Sequence, residues 1–250
     1  MGKHLDQRTK DKLSWDESFL KRNLPYYRLP RDQFAELVDD FFQPGTRVLD
    51  AGCGSETVLE AYRGIASDVV GLDREDLGAD VDQFVKADLC SSLPLADNSF
   101  DLVTLCWVLE HLEDPESTLK DLVRILKPGG VIAAMTPNLF HPFYFGNRIF
   151  SFFLTERRRM RLAAWLLKRE NDDSLTPVFY YANTISRLEN LFAEVGLKKE
   201  VLETGAPSIG FFSHRSVAYL TLVIEKTADF FSWRWLRPVL IVVYRKPKQT

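Results

Sequence analysis

The stretch Val48-Leu49-Asp50-Ala51-Gly52-Cys53-Gly54-Ser55 decides how this chain folds. Its apolar start reads as a short buried strand from Arg47 to Asp50, and the glycines that follow end it abruptly. A strand running into glycines ahead of a helix brings backbone close to a ligand and turns helix N–H groups toward it. Several nucleotide-binding folds share that signal, so the neighbouring segments must specify it. The dinucleotide spacing GxGxxG fails here, because Thr57 occupies the third glycine position.

Working outward, Phe34, Leu37, Val38 and Phe41 recur at helical spacing within Arg31 to Phe42, and Pro44-Gly45 stops that helix. Downstream, Thr57 to Ile65 reads as a helix, Asp68 to Asp73 as a second strand and Phe84 to Asp88 as a third. Phe100 to Cys106 is a fourth strand, followed by a helix from Pro115 to Leu126. Lys127-Pro128-Gly129-Gly130 marks a turn, and Val131 to Thr136 a fifth strand. After Pro137 the rhythm breaks. Residues 138–176 are aromatic and basic with no clear strand, and 205–237 is a second irregular stretch. Between and after them come a helix over Thr184 to Val195 and strands over Leu197 to Leu202 and Val239 to Tyr244. Strands alternating with helices imply a parallel sheet covered on both faces. The expected fold is α/β, a Rossmann-like three-layer sandwich. Its seven-stranded sheet is mainly parallel with an antiparallel last strand. One domain spans 1–250, with insertions at 138–182 and 205–237.

The chain has 250 residues, 46 % of them hydrophobic, and a formal charge of −3, which disfavours a nucleic-acid binder that works by bulk electrostatics. Cys53, Cys90 and Cys106 are too widely spaced for a CxxC pair and fit a reducing compartment rather than a disulfide framework. The polar start MGKHLDQRTK lacks a signal-peptide core, and Asp6 breaks the myristoylation pattern. No uncharged apolar run reaches the roughly 18 residues of a membrane-spanning helix. The expected address is cytoplasmic.

Asp73 closes the second strand, about 20 residues past the glycines, where an acid binds a ribose hydroxyl pair in folds of this kind. Asp88 closes the third strand on the same sheet edge, the edge where open parallel sheets hold ligands. With VLDAGCGSE, VVGLDRE, KADLCSSLPLADNSFDLVTLCWVLEHLEDP and LKPGGVIAAMTPN in order across 45–138, the chain resembles the class I S-adenosylmethionine-dependent methyltransferases. Among them it is similar to the small-molecule group that includes ubiquinone and menaquinone methyltransferases. The resemblance implies S-adenosyl-L-methionine as cofactor, with Gly52 and Gly54 under its methionine part. It also implies Asp73 on the ribose, Asp88 near the adenine amino group, and Asp50 orienting the methionine amino group or a bound water. One departure stands out. Glu56 replaces the family's usual third glycine, and its carboxylate faces the cofactor's own unless it swings out to solvent. A non-catalytic, methyltransferase-like partner protein is therefore the alternative reading.

Methyl transfer needs an acceptor aligned with the methyl and, for a hydroxyl, a base to take its proton. Glu110 and His111 follow the fourth strand at the edge where an acceptor would meet the methyl, and histidine is a residue type suited to general-base work near neutral pH. Equally, they read as helix-start residues bonded to backbone. Related O-methyltransferases hold a divalent metal with ExxEH at this place. Here Trp107 stands where the first acid would be, so no metal is expected. His141 and Tyr180 or Tyr181 are further candidates facing the acceptor.

From His141 to Arg169 there are seven basic residues, Arg148, Arg157, Arg158, Arg159, Arg161, Lys168 and Arg169, against the single acid Glu156. Phe140, Phe143, Tyr144, Phe145, Phe150, Phe152, Phe153 and Trp165 add a dense aromatic load. The resemblance implies that the insertion 138–182 is the substrate-binding cap. Such a segment either grips an anionic membrane surface or a lipid-linked acceptor, or packs its rings on the sheet beneath a solvated basic face. In Ile209 to Trp235, Phe211, Phe212, Phe230, Phe231, Trp233 and Trp235 are interrupted by Arg234 and followed by Arg237, so this stretch either lies at a membrane interface without spanning it or, as the preferred reading, is a crossover helix and loop that buries the last strand. Nucleic acid is disfavoured further, because Leu105-Cys106-Trp107-Val108 stands in place of N/D-P-P-Y/F, and Asn138 rather than cysteine follows Pro137. The failed GxGxxG and the LKPGG turn disfavour a nicotinamide-dependent dehydrogenase. The expected reaction is methyl transfer to a small or lipid-linked acceptor, with oxygen the favoured atom.

Overall fold

Seven strands line up in one sheet in the order β3-β2-β1-β4-β5-β7-β6. The structure is a computed structural model and describes residues 15, 17–24, 27–153, 177–207 and 215–248. Strands β1 (Arg47–Ala51), β2 (Asp68–Asp73), β3 (Gln83–Lys86), β4 (Phe100–Cys106) and β5 (Leu126–Pro137) form its parallel part. Buried on both faces, β1 and β2 are near-continuous apolar runs, as parallel strands require. Strands β6 (Lys198–Gly205) and β7 (Val239–Arg245) complete the sheet. Gly129 and Lys246 exchange backbone bonds at the start of β5 and the end of β7 (Gly129 N to Lys246 O, 2.9 Å; Lys246 N to Gly130 O, 2.9 Å), so β7 runs antiparallel, as expected.

Helices α1 (Pro30–Asp39), α2 (Pro115–Ile125), α3 (Pro142–Phe153), α4 (Ile185–Glu194) and α5 (Arg215–Phe230) accompany the strands. Asp114 caps α2 by accepting from Ser117 N at 3.0 Å, and Pro115 opens the helix without losing a bond. Thr184 caps α4 in the same way. Leu119, Leu122, Ile125, Leu188, Leu191 and Phe192 of these two helices pack with Leu49, Val103 and Leu240 of the sheet in one buried cluster.

Two expectations need correction. The segment after the glycine loop is not an α-helix: only a 3₁₀ turn, Glu60–Tyr62, forms there. Thr57 explains this, because its hydroxyl bonds the Asp50 carboxylate at 2.6 Å and accepts from Leu59 N at 3.0 Å, offering the backbone a local alternative to helix bonds. Lys127 to Gly130 is not a free turn but the bulged entry to β5, where the register shifts between Phe100 and Leu102 of β4. Within the second irregular stretch, Arg215–Phe230 is the helix α5, as the crossover reading expects.

The chain divides into two compact units: residues 31–137, 178–203 and 240–250 form the sheet unit, and 1–30, 138–177 and 204–239 form the other. In this second unit Phe19, Leu20, Leu24 and Tyr27 bury against Ala218 and Leu222 of α5. The Tyr27 hydroxyl donates to Pro207 O at 3.1 Å. Among the described residues no helix is long and apolar enough to cross a membrane.

Candidate active site

The loop after β1 is shaped by two glycines with positive φ, +83° at Gly52 and +57° at Gly54. Gly52 is required twice over, because a Cβ there would lie 2.4 Å from Val108 Cγ2. Its amide donates to Leu72 O at 2.7 Å, which pins the loop to β2. The space at Gly54 is open instead, with no heavy atom within 4 Å of the point a Cβ would occupy. Gly54 N donates to Asp73 Oδ2 at 2.8 Å, and Asp73 Oδ1 accepts from Arg74 N at 2.7 Å. Each Asp73 oxygen keeps a second lone pair for a ligand hydroxyl. Asp88, at the same sheet edge, accepts from Cys90 N at 2.9 Å and from Arg74 Nη2 at 3.1 Å. Those bonds, the Cys90 amide first, hold its carboxyl below the usual range and keep it ionised.

Asp50 is buried at the end of β1, with Oδ2 taking the Thr57 hydroxyl at 2.6 Å and Oδ1 the Thr104 hydroxyl at 2.7 Å. Burial raises its pKa against the pull of these bonds. It struts the far side of the glycine loop onto β4. Glu56 does not face the loop. It is three-quarters exposed (74 %) and pairs with Arg31 Nη1 at 2.7 Å, while Arg31 also donates to Thr57 O at 3.2 Å. Cys53 and Cys106 have thiols pushed up to about 12 by burial, which disfavours either as a nucleophile.

Beyond β4, Val108, the residue that closes the space over Gly52, is followed by a 3₁₀ turn, Leu109–His111. Glu110 is buried within it and accepts the Thr136 hydroxyl at 3.0 Å. Burial pushes its carboxyl up to about 7. Asn183 donates to Thr136 Oγ1 at 2.6 Å and to Pro137 O at 3.1 Å, which leaves the Thr136 proton to point at Glu110. Phe179 N and Tyr180 N donate to Glu110 O at 2.8 and 3.3 Å. Trp107 and Tyr180 flank this turn with positive φ, +59° and +58°, a conformation bulky residues adopt only where surroundings enforce it. His111 is half-buried on the same turn, and Tyr181 is exposed and stacked on Phe179.

His141 belongs to the second unit. It is buried at the start of α3, and burial alone pushes its pKa down to about 4. Its Nε2 lies 3.9 Å from Glu225 Oε1, and the other Glu225 oxygen takes Arg237 Nη1 at 2.6 Å. Arg157, Arg158, Arg159, Arg161, Lys168, Arg169, Glu156, Trp165, Phe211 and Phe212 lie outside the described residues. Arg31, Thr136 and Asn183 carry no sequence signal of their own. Only the short TPN run at the end of β5 hinted that polar groups converge there.

Residues 49–134 match the profile of the methyltransferase domain family. Over 111 residues the chain is 40 % identical to a demethylmenaquinone methyltransferase of Renibacterium salmoninarum, a match that covers 40 % of this chain and 46 % of that protein. It is 33 % identical over 105 residues to a ubiquinone biosynthesis O-methyltransferase of Thiobacillus denitrificans, across 38 % of this chain and 44 % of the relative. The chain thus spans about half the length of these relatives. Among solved structures, an S-adenosylmethionine-dependent methyltransferase from Mesorhizobium loti shares the fold with a TM-score of 0.55 and 21 % identity, over 86 % of this chain and 99 % of that one.

Proposed function

We propose that this chain, whose sequence and fold resemble the class I S-adenosylmethionine-dependent methyltransferases and their quinone-modifying members in particular, is an enzyme that transfers a methyl group from S-adenosyl-L-methionine to a small acceptor. The open glycine loop latched to the acid at the end of β2 carries this reading. An unhindered surface at Gly54, with Asp73 beside it and an ionised Asp88 at the next strand end, fits an adenosyl ligand laid along the strand edge. Gly52 and Gly54 let the backbone lie under the methionine part, Asp73 accepts the ribose hydroxyls and Asp88 the adenine amino group. Asp50 holds the loop's shape from beneath. The cofactor supplies a sulfonium methyl and its own leaving group, so the protein's task is alignment and removal of a proton. Glu110, poised near neutrality on the turn that contacts the loop, is the base we assign for an acceptor hydroxyl, with Thr136 and Asn183 holding it in place. His111 is the second candidate on that turn. We assign the buried His141 to the structure of its unit.

Likeness to a demethylmenaquinone methyltransferase and a ubiquinone biosynthesis O-methyltransferase supports a quinone-related acceptor. The name of the second relative favours oxygen as the acceptor atom, and we extend the reading to a lipid-linked precursor. We assign the insertion 138–182 as the substrate cap of a cytoplasmic enzyme. Calorimetric titration with S-adenosylhomocysteine tests the cofactor half of this reading. Micromolar binding that Asp73→Ala abolishes supports it, and no binding to the unaltered chain overturns it in favour of a non-catalytic partner. Methyl transfer to a catechol bearing a short isoprenoid tail, set against the same catechol without one, tests the acceptor half.

A further inference from the structure

Charge is divided unevenly between the two units. The second unit holds eighteen Lys and Arg against ten Asp and Glu, or +8, so the sheet unit carries −11 of the chain's −3. In this basic unit, five aromatic rings run in contact along the surface. Phe230 meets Phe231 edge-on at 4.9 Å, Phe231 stacks on Trp233 at 4.7 Å, Trp233 meets Trp235 at 5.9 Å and Trp235 meets Phe140 at 6.3 Å. None is buried: Phe230 is 83 % exposed and the others between 40 % and 53 %.

The backbone holds them there. Helix α5 ends in a Schellman turn, with Trp233 N donating to Ala228 O at 2.8 Å and Ser232 N to Asp229 O at 3.1 Å. Ser232 takes the left-handed position usually given to glycine, with φ +55°. Beyond it, Asn138 is fully buried and donates to Trp235 O at 2.6 Å and Arg237 O at 2.8 Å, which fixes the 3₁₀ turn Arg234–Leu236 against the chain ahead of α3. Lys226 and Arg234 are exposed along the same segment.

We propose that the ladder Phe140–Trp235–Trp233–Phe231–Phe230 is a membrane-docking edge that inserts among the headgroups of an anionic phospholipid surface. Aromatic rings flanked by Lys and Arg favour the level where acyl chains meet headgroups, and a unit of +8 is drawn to an anionic leaflet. Charge also argues against the other obvious occupant: a second copy seated here would bring +8 against +8. The edge deepens the reading of a lipid-linked acceptor, since docking would bring the enzyme to the phase that holds such a substrate. The edge lies within this unit alone, and vesicle binding is read without methyl transfer.

The test is flotation of the full chain with vesicles of phosphatidylcholine alone or mixed with phosphatidylglycerol, at low and high salt. A Phe230→Ser, Phe231→Ser, Trp233→Ser variant is run beside the unaltered protein, with S-adenosylhomocysteine binding and melting temperature as fold controls. The expected result is binding to the anionic vesicles only, weakened by salt and reduced at least tenfold in the variant. Brominated acyl chains should quench tryptophan emission in the unaltered chain more than in the variant. Should the triple variant melt early, Phe230→Ser alone, at the most exposed ring, replaces it. Absence of flotation overturns the proposal, and so does flotation that the variant leaves unchanged. A concentration-dependent dimer lost in the variant would assign the edge to a second copy and overturn it as well. Vesicle binding without cofactor binding would leave the edge standing while removing the methyl-transfer reading.

Discussion

Gly54 donates its amide to the Asp73 carboxylate across 2.8 Å, so the loop after β1 and the end of β2 are joined at the point where a ligand would lie. Replacing Asp73 removes both this latch and the acceptor we propose for ribose hydroxyls. A hydrogen bond to an ionised group contributes about 1.5–3 kcal/mol, or on the order of 10- to 100-fold in affinity. Asp73→Ala should weaken S-adenosylhomocysteine binding by at least that factor. Asp73→Asn, which keeps an acceptor for the Gly54 amide, should lose less. Calorimetry on both variants checks the order, and equal losses would show that the negative charge, not the latch, governs binding.

Gly52 stands under Val108 with no room for a side chain. Gly52→Ala should destabilise the fold through two separate effects. The left-handed backbone costs a non-glycine residue about 1–2 kcal/mol. The 2.4 Å approach to Val108 Cγ2 adds steric strain. Chemical denaturation of Gly52→Ala, Val108→Ala and the double variant separates them. The double variant should recover the steric part and retain the backbone part, so its loss should fall below the sum of the singles.

Much of this arrangement was legible in the sequence, for physical reasons. Strands β1, β2, β4, β5 and β7 are buried on both faces and therefore read as apolar runs, while Asp114 and Thr184 announce the helices they cap. The helix expected over Thr57 to Ile65 was not legible as a 3₁₀ turn, because its undoing is the tertiary bond from Thr57 to Asp50. Thr136 and Asn183 lie 47 residues apart and meet only through the sheet, so no local pattern couples them to Glu110. The exposure of Phe230 and Trp233 depends on the turn at Ser232, a residue with no composition signal for left-handed backbone.

Glu56 turns its carboxylate outward to Arg31, so the departure from the usual third glycine should matter little for cofactor affinity. Exposed ion pairs contribute about 0–1 kcal/mol and are screened by salt. Glu56→Gln should change S-adenosylhomocysteine affinity by less than about fivefold, which corresponds to that range. A much larger gain would mean that the carboxylate swings back toward the loop in solution, and its size should then shrink as salt is raised.

Glu110 ties stability and activity to pH in opposite directions. Its carboxyl is raised from 4.5 to about 7 by burial, so between these values the folded chain holds a proton that the unfolded chain has released. The stability this contributes is fully present below pH 4.5 and is lost as pH rises through about 7, a swing on the order of 3 kcal/mol at 1.36 kcal/mol per pH unit. Glu110→Gln should remove that swing, gaining stability relative to the unaltered chain at pH 8 and little at pH 4, as denaturant titrations at each pH would record. With Glu110 as the proposed base, activity should do the reverse, rising through pH 7 as its carboxyl ionises, and Glu110→Gln should lower kcat by a factor on the order of 100 or more. Thr136→Val removes the hydroxyl that favours the carboxylate, so it should move the kcat inflexion upward while Glu110 remains in place. If Glu110→Gln flattens the stability profile yet leaves kcat intact, the carboxyl serves only the packing of the turn. His111 would then inherit the role of base.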